Sequence, residues 1–398
     1  MTGSDPHVGD DLGEASFRAE VRAFIARNAP RATFDEGLRV PRDPEEEKAV
    51  RSWLGALYTA GYLGAGWPTA WGGREGHRPT RDLILMEELF RARAYRPLDQ
   101  VLFAGHALLA FGSEEQKRSY LPCIRSGEHI WCQLFSEPGA GSDLASLTTR
   151  AEPEGDEFVV TGQKVWCTDA QWADMGLLLA RTDPTTNRHA GLTAFVVPMK
   201  SPGLTIRPIR EITGSEEFCE VFLDGVRLGP THVLGEVGAG WSVITSGLAS
   251  ERAFVGANAV QLELMFQDLV ELARSARLSD GEAAIDREDV QNTLASMLAK
   301  VSSTKRIVED TVERILVDEE HPSDGPLAKL AYSERYVELC ETALELISSA
   351  TSFTEGGRAL ADRWYANFLW SRALTISGGA SEVLRGLLAR QLLELPRA

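Results

Sequence analysis

The sequence holds only five cysteines, and none stands in a metal-binding or thiol-exchange arrangement. Cys123, Cys132, Cys167, Cys219 and Cys340 are odd in number, widely scattered and never spaced C-x-x-C. That argues against a disulfide framework or a zinc knot and fits reduced thiols used as small core residues. Long uncharged apolar runs are also missing. No stretch reaches the roughly 18 residues of a spanning helix, so no membrane span is expected. The opening MTGSDPHVGDDLGE is acidic and lacks an apolar stretch, unlike a secretory signal or an Arg-rich transit peptide. A cytoplasmic chain is expected. The seven histidines include no H-E-x-x-H spacing, so no metal site is expected. Positive charge is scarce as well: 41 Lys and Arg against 58 Asp and Glu leave a net charge of −17. Such a surface argues against a nucleic-acid or anionic-membrane binder. A few local arginines and helix N-termini could still hold a phosphate.

What is present is ordinary globular composition, 43% hydrophobic and 25% charged over 398 residues, enough for two or three domains. The first third carries helical patterns. Phe17, Val21, Phe24 and Ile25 form one apolar stripe. PEEEKAVRSWLGALYTAGYLG opens with Pro44 and three glutamates, as a helix N-terminus favours. Ser113 and Gln116 form the capping box of a further helix. From about residue 128 to 237 the texture changes to short β-rich runs separated by Gly, Pro and Asp, which predicts an antiparallel β-domain. Helical periodicity then returns, with segments expected near 240–275, 286–319, 326–352 and 358–394. The expected fold is α+β: a helical domain over 1–127, a central antiparallel β-domain over 128–237 and a helical bundle over 238–398.

Two neighbouring segments carry the chemical signal. In QLFSEPGAGSD, residues 133–143, Gly139 and Gly141 leave the backbone bare, so its N–H groups can approach a ligand closely. Ser136 and Ser142 add hydroxyls that can meet a heteroaromatic edge. An ordinary helix-to-strand turn would look similar. About twenty residues on, GQKVWCT places Trp166 and Thr168 two apart, on one face of a strand. An indole able to cover a flat ring would then point the same way as a hydroxyl aimed at that ring's edge; an indole used as core would look the same.

These segments, taken in order, resemble the acyl-CoA dehydrogenase family along nearly the whole chain. SEEQKRSYLPCIRSGE resembles the family's entry into its β-domain. SEPGAGSD and GQKVWCT with ADMGLLLART are similar to its two flavin signatures. FCEVFLDGVRLGPTHVLGEVGAGW resembles the exit from the β-domain, and GGASEVLRGLLAR the C-terminal signature. The resemblance implies a helical–β–helical fold, usually tetrameric, with FAD between the β-domain and the bundle. It implies that Phe135 and Ser136 meet the flavin pyrimidine ring, with Gln133, Gly141 and Ser142 completing the loop and Ser142 also near the pantetheine arm of the substrate. Trp166 would cover the isoalloxazine and Thr168 hydrogen-bond its reactive edge. Arg277 would extend to a neighbouring subunit's FAD pyrophosphate. In the bundle the match is weaker. Asp280 stands where the family usually has an aromatic residue, TSFTEGG does not match its Gly-rich stretch, and Ala380 replaces a usual hydroxyl residue.

The implied reaction is FAD-dependent α,β-dehydrogenation of an acyl-CoA or related thioester to the trans-2-enoyl product. The N–H of Gly378 would polarise the thioester carbonyl, and an electron-transferring flavoprotein would reoxidise the flavin. Many family members carry the catalytic Glu where this chain has Gly378. The segment SGLASERAFVGA resembles the isovaleryl-CoA and long-chain branches, in which a Glu followed by Arg is the base, so Glu251 is the candidate here. A surface Glu paired with Arg252 or Arg274 would read the same. Two further readings stay open: a partner subunit in a heterotetramer with a related chain, and a flavin oxidase or monooxygenase of the same fold.

Overall fold

A computed structural model describes residues 6–30, 43–95, 103–186, 188–250, 255–317 and 319–396. Five helices open the chain: α1 (Pro6–Asn28), α2 (Pro44–Thr59), α3 (Pro79–Arg91), α4 (Gly105–Phe111) and α5 (Glu114–Ser126). Local sequence sets their ends. Asp43 caps α2 by accepting the N–H groups of Glu45 and Glu46, and Pro44 follows at the first helical position, where a missing N–H costs nothing. Ser113 and Gln116 form the expected capping box of α5, which stops at Gly127 with φ +74°, the left-handed conformation that glycine adopts without strain. The α1 stripe turns inward: Val21 and Ile25 are buried, and Phe17 and Phe24 pack beside them.

Eight strands follow: β1 (Trp131–Leu134), β2 (Arg150–Glu154), β3 (Glu157–Thr168), β4 (Met175–Arg181), β5 (Leu192–Pro198), β6 (Leu204–Pro208), β7 (Phe218–Leu228) and β8 (Val233–Leu234). They form one sheet in the order β6-β7-β3-β2-β4-β5-β8, with β1 against β4. Pairing is antiparallel except for β1 with β4 and a short contact of β2 with β4. The exception follows from connection: β1 is entered from α5 and reaches β4 only after β2 and β3, so the two are not joined by a hairpin.

Strand alternation divides the apolar side chains between two cores. Trp131, Leu177, Leu179, Ala194 and Val196 face the helical unit and share its core. Cys132, Leu134, Leu178, Ala180, Phe195 and Val197 face the opposite way, into the β-domain's own core. The Gln116 amide reaches across from α5 to the carbonyls of Thr231 and Val233, at 2.8 and 2.9 Å.

The rest is helical: α6 (Gly240–Ser250), α7 (Val255–Ser275), α8 (Glu288–Leu316), α9 (Asp324–Ser349), α10 (Gly357–Leu374) and α11 (Ser381–Leu392). A two-residue ladder joins β9 (Ala276–Arg277) to β10 (Ser352–Phe353). The segment expected over 358–394 is two helices. Gly378 and Gly379 have φ +62° and +105°, a backbone that no right-handed helix passes through, and the chain turns there. The helices α7, α8, α9 and α10 enclose a third core around Leu269, Leu272, Met297, Tyr336 and Trp364.

Candidate functional site

Residues 135–142 leave β1 as a loop held from beneath by two charged side chains. Glu137 and Ala140 exchange backbone hydrogen bonds of 3.0 Å each, closing a tight turn over Pro138 and Gly139. The Glu137 carboxylate is buried and accepts from the N–H and hydroxyl of Thr148, the N–H of Thr149 and the Lys164 ammonium, all within 2.7–2.9 Å. Lys164 is fully buried on β3 and also donates to the Phe135 carbonyl at 2.9 Å. One residue further along β3, the Val165 N–H donates to the Ser136 carbonyl at 2.9 Å. The loop is thereby fastened to the strand that carries Trp166.

The charge balance of this pair is clear in direction. Burial by itself would raise the Glu137 pKa, but the Lys164 charge and the Thr148 and Thr149 donors pull it down to about 2. Burial pushes Lys164 down to about 8 against the opposing pull of Glu137. At neutral pH both are ionised. A buried pair of this kind contributes less to net stability than to fixing geometry. Neither residue was singled out in the sequence. A signal existed: Lys164 shares the register of Val160, whose side chain faces the core, and lysine has no place there without an anion.

Above this base lie the positions expected to face a ligand. Phe135 is buried against Phe103, with ring centroids 5.5 Å apart. Gln133 lies in β1 opposite Leu177 and, like Ser136, is half-buried, whereas Gly141 and Ser142 are exposed. A Cβ built on Gly139 or Gly141 would meet no atom within 4 Å, so space for a ligand is open over the loop. On β3, Cys167 is buried while Trp166 is 57% exposed, an unusual setting for an indole. Trp166 has φ +59°, and the register of β3 against β7 shifts between Lys164 and Cys167. Such bulges re-aim a side chain. Phe218 of β7 braces the indole edge-on at 5.9 Å, and Thr168 pairs with Phe218 in the ladder. A half-buried hydroxyl, a bare backbone and an exposed, braced indole can together accept a flat heteroaromatic ring.

The other expected site residues lie in the bundle. Gly378 is exposed in the turn between α10 and α11. The Arg277 guanidinium donates to the carbonyls of Arg274 and Ala276, at 2.8 and 3.3 Å. Asp280 pairs with Arg287 at 3.5 Å, so its negative charge is balanced locally. Glu251 lies outside the described residues.

Comparison with known proteins agrees with this architecture. The N-terminal, middle and C-terminal domains of acyl-CoA dehydrogenases match residues 13–128, 132–226 and 238–393. The acyl-CoA dehydrogenase IpdE1 of Mycobacterium tuberculosis is 36% identical over 389 residues, covering 96% of this chain and 97% of that protein. Among solved structures, the Tcur3481-Tcur3483 steroid ACAD superposes with a TM-score of 0.85 at 30% identity, with all of both chains covered. The ChsE4-ChsE5 complex of M. tuberculosis does so at 0.82 and 28%, again over the full length of both. The chain belongs to the acyl-CoA dehydrogenase family. It is a flavin-dependent oxidoreductase of that kind, with the family's α+β fold, and among the described residues no helix is long and apolar enough to cross a membrane.

Proposed function

We propose that this chain uses FAD to dehydrogenate the α,β bond of an acyl-CoA, yielding the trans-2-enoyl thioester. The observation that supports it most is the clamped 135–142 loop, with its bare glycine backbone, fastened to the strand that exposes Trp166, because a planar ring needs both a backbone edge and an aromatic face. In this reading the Phe135 backbone and the Ser136 hydroxyl take the pyrimidine edge, with Gln133, Gly141 and Ser142 completing the loop. Trp166 covers the ring, Thr168 holds its reactive edge, and Ser142 also meets the pantetheine arm. Bound FAD would supply the hydride acceptor and a ribityl hydroxyl. Gly378 supplies a backbone N–H to the thioester oxygen, where negative charge grows as the α-proton leaves. Glu251 takes that proton. A carboxylate enclosed by apolar acyl chain would have its pKa raised toward the working pH. An electron-transferring flavoprotein would receive the electrons. The three working units are 1–127, 128–237 and 238–398.

Glu251→Gln tests the reading, because it preserves shape and removes the proton acceptor. FAD and acyl-CoA should still bind, while anaerobic flavin reduction slows by at least about 100-fold. The substrate panel should include a steroid-derived acyl-CoA beside straight-chain ones, since the Tcur3481-Tcur3483 steroid ACAD is among the structural relatives. Reduction at the wild-type rate would remove Glu251 from the mechanism.

A second reading is favoured by the bundle. Arg277 donates to the Arg274 and Ala276 carbonyls and Asp280 stands where the family usually has an aromatic residue, while two of the structural relatives carry paired names. A heterotetramer with a related chain would let the partner complete the nucleotide half of each FAD site.

A further inference from the structure

The turn that carries Gly378 has no side chain of its own to fix it. Two successive glycines give it the widest conformational freedom a chain can have, yet an oxyanion donor works only when it is held still. A side-chain restraint comes from outside the turn. Lys329, on α9, lays its stem beside Gly378, where a built Cβ would meet Lys329 Cε at 3.9 Å. Its ammonium donates to the Gly379 carbonyl at 2.6 Å. The Ser381 N–H closes the turn to the Thr375 carbonyl at 2.9 Å. An ion pair between Glu334 of α9 and Arg385 of α11 fastens the same two helices one step further along.

We propose that Lys329 is a positioning residue for the thioester carbonyl: it pins the Gly378–Gly379 turn so that the Gly378 N–H is preorganised, and it adds a fixed positive charge beside the forming enolate oxygen. This rests on the assignment of Gly378 as the carbonyl donor. The half-buried lysine and the exposed Gly378 suit the role, since the turn is held from one side and left free for substrate on the other. Burial also pushes the Lys329 pKa down to about 8, with Glu334 opposing, which marks an ammonium poorly hydrated and dependent on its carbonyl partner.

The test compares wild type, Lys329→Met and Lys329→Arg as FAD-loaded enzyme in two measurements. Amide hydrogen exchange of residues 375–382 should rise about 10-fold or more in Lys329→Met, the scale of a lost charge-assisted hydrogen bond, with Lys329→Arg close to wild type. Bound acetoacetyl-CoA, whose enolate has its own ultraviolet absorption, should ionise about 10-fold less readily in Lys329→Met at unchanged FAD content. If Lys329→Met does not fold, Lys329→Gln keeps a donor without the charge, and should lose the enolate effect while largely keeping protection of the turn. Unchanged exchange in Lys329→Met overturns the proposal regardless of ligand. Raised exchange with unchanged enolate formation leaves Lys329 a purely structural tie and also overturns it. A wild type that takes up FAD but no acetoacetyl-CoA has its enolate test repeated with a longer 3-oxoacyl-CoA. A wild type that takes up no FAD, alone or with a related chain, contradicts the assigned function, and the inference falls with it, whereas the exchange result still reports on the turn.

Discussion

Trp166 shows how one side chain can carry a site. An indole left 57% exposed forgoes burial that the hydrophobic effect would reward, so its position is explained better by a ligand than by packing. Trp166→Ala should weaken flavin binding by about 1–3 kcal/mol, the scale of a lost aromatic contact, as measured by titrating apoprotein with FAD. Unchanged affinity would return the residue to a structural role. Glu137 makes a different prediction, in stability. Its folded pKa of about 2 lies below its ordinary 4.5, so the stability it contributes is present above about pH 4.5 and lost as pH falls from there toward 2. Glu137→Gln strands the Lys164 ammonium in the core and should cost about 3–5 kcal/mol at pH 7. The same variant should flatten the acid limb of a urea-unfolding series, and an identical limb in both proteins would show that the carboxylate is not the titrating group.

At the scale of elements, the parts legible in sequence are those set by local rules. The Asp43 and Ser113 caps, the α1 stripe and the change from helical to β texture near residue 128 need only neighbours in the chain. The geometry at Trp166 does not. Period-two alternation places Trp166 and Thr168 on the strand face opposite Cys167, but the bulge between Lys164 and Cys167 is fixed by β7 and by the Ser136 carbonyl, partners 29 or more residues away in the chain. The buried Glu137–Lys164 pair escaped for the same reason, because its two halves lie on different elements. The break at Gly378 was visible as adjacent glycines, yet matching apolar periodicity on both sides made 358–394 look continuous. Gly379→Ala tests the turn directly. A left-handed φ penalises a Cβ by about 1–2 kcal/mol, and here that Cβ would also sit 2.9 Å from the Leu384 side chain. A fall in melting temperature is expected; an unchanged one would mean that the turn relaxes to another conformation.

For the whole molecule, the C-terminal end presents Ile376, Val383, Leu392, Leu393 and Leu395 at 47–68% exposure, apolar surface that an isolated chain would leave in water. We expect a tetramer. Light scattering on the chain expressed alone separates the two assemblies: a flavin-loaded homotetramer would remove the heteromeric reading, whereas a flavin-poor species that gains flavin with a related chain would support it. Whether this chain holds a flavin and reduces it with an acyl-CoA is decided by one anaerobic absorbance titration of the purified protein, alone or with its partner. Flavin bands at about 370 and 450 nm are expected, with the longer-wavelength band bleached by at least one acyl-CoA and persisting far longer in Glu251→Gln. Protein without flavin in either assembly, or a flavin that no acyl-CoA reduces, would contradict the proposed function.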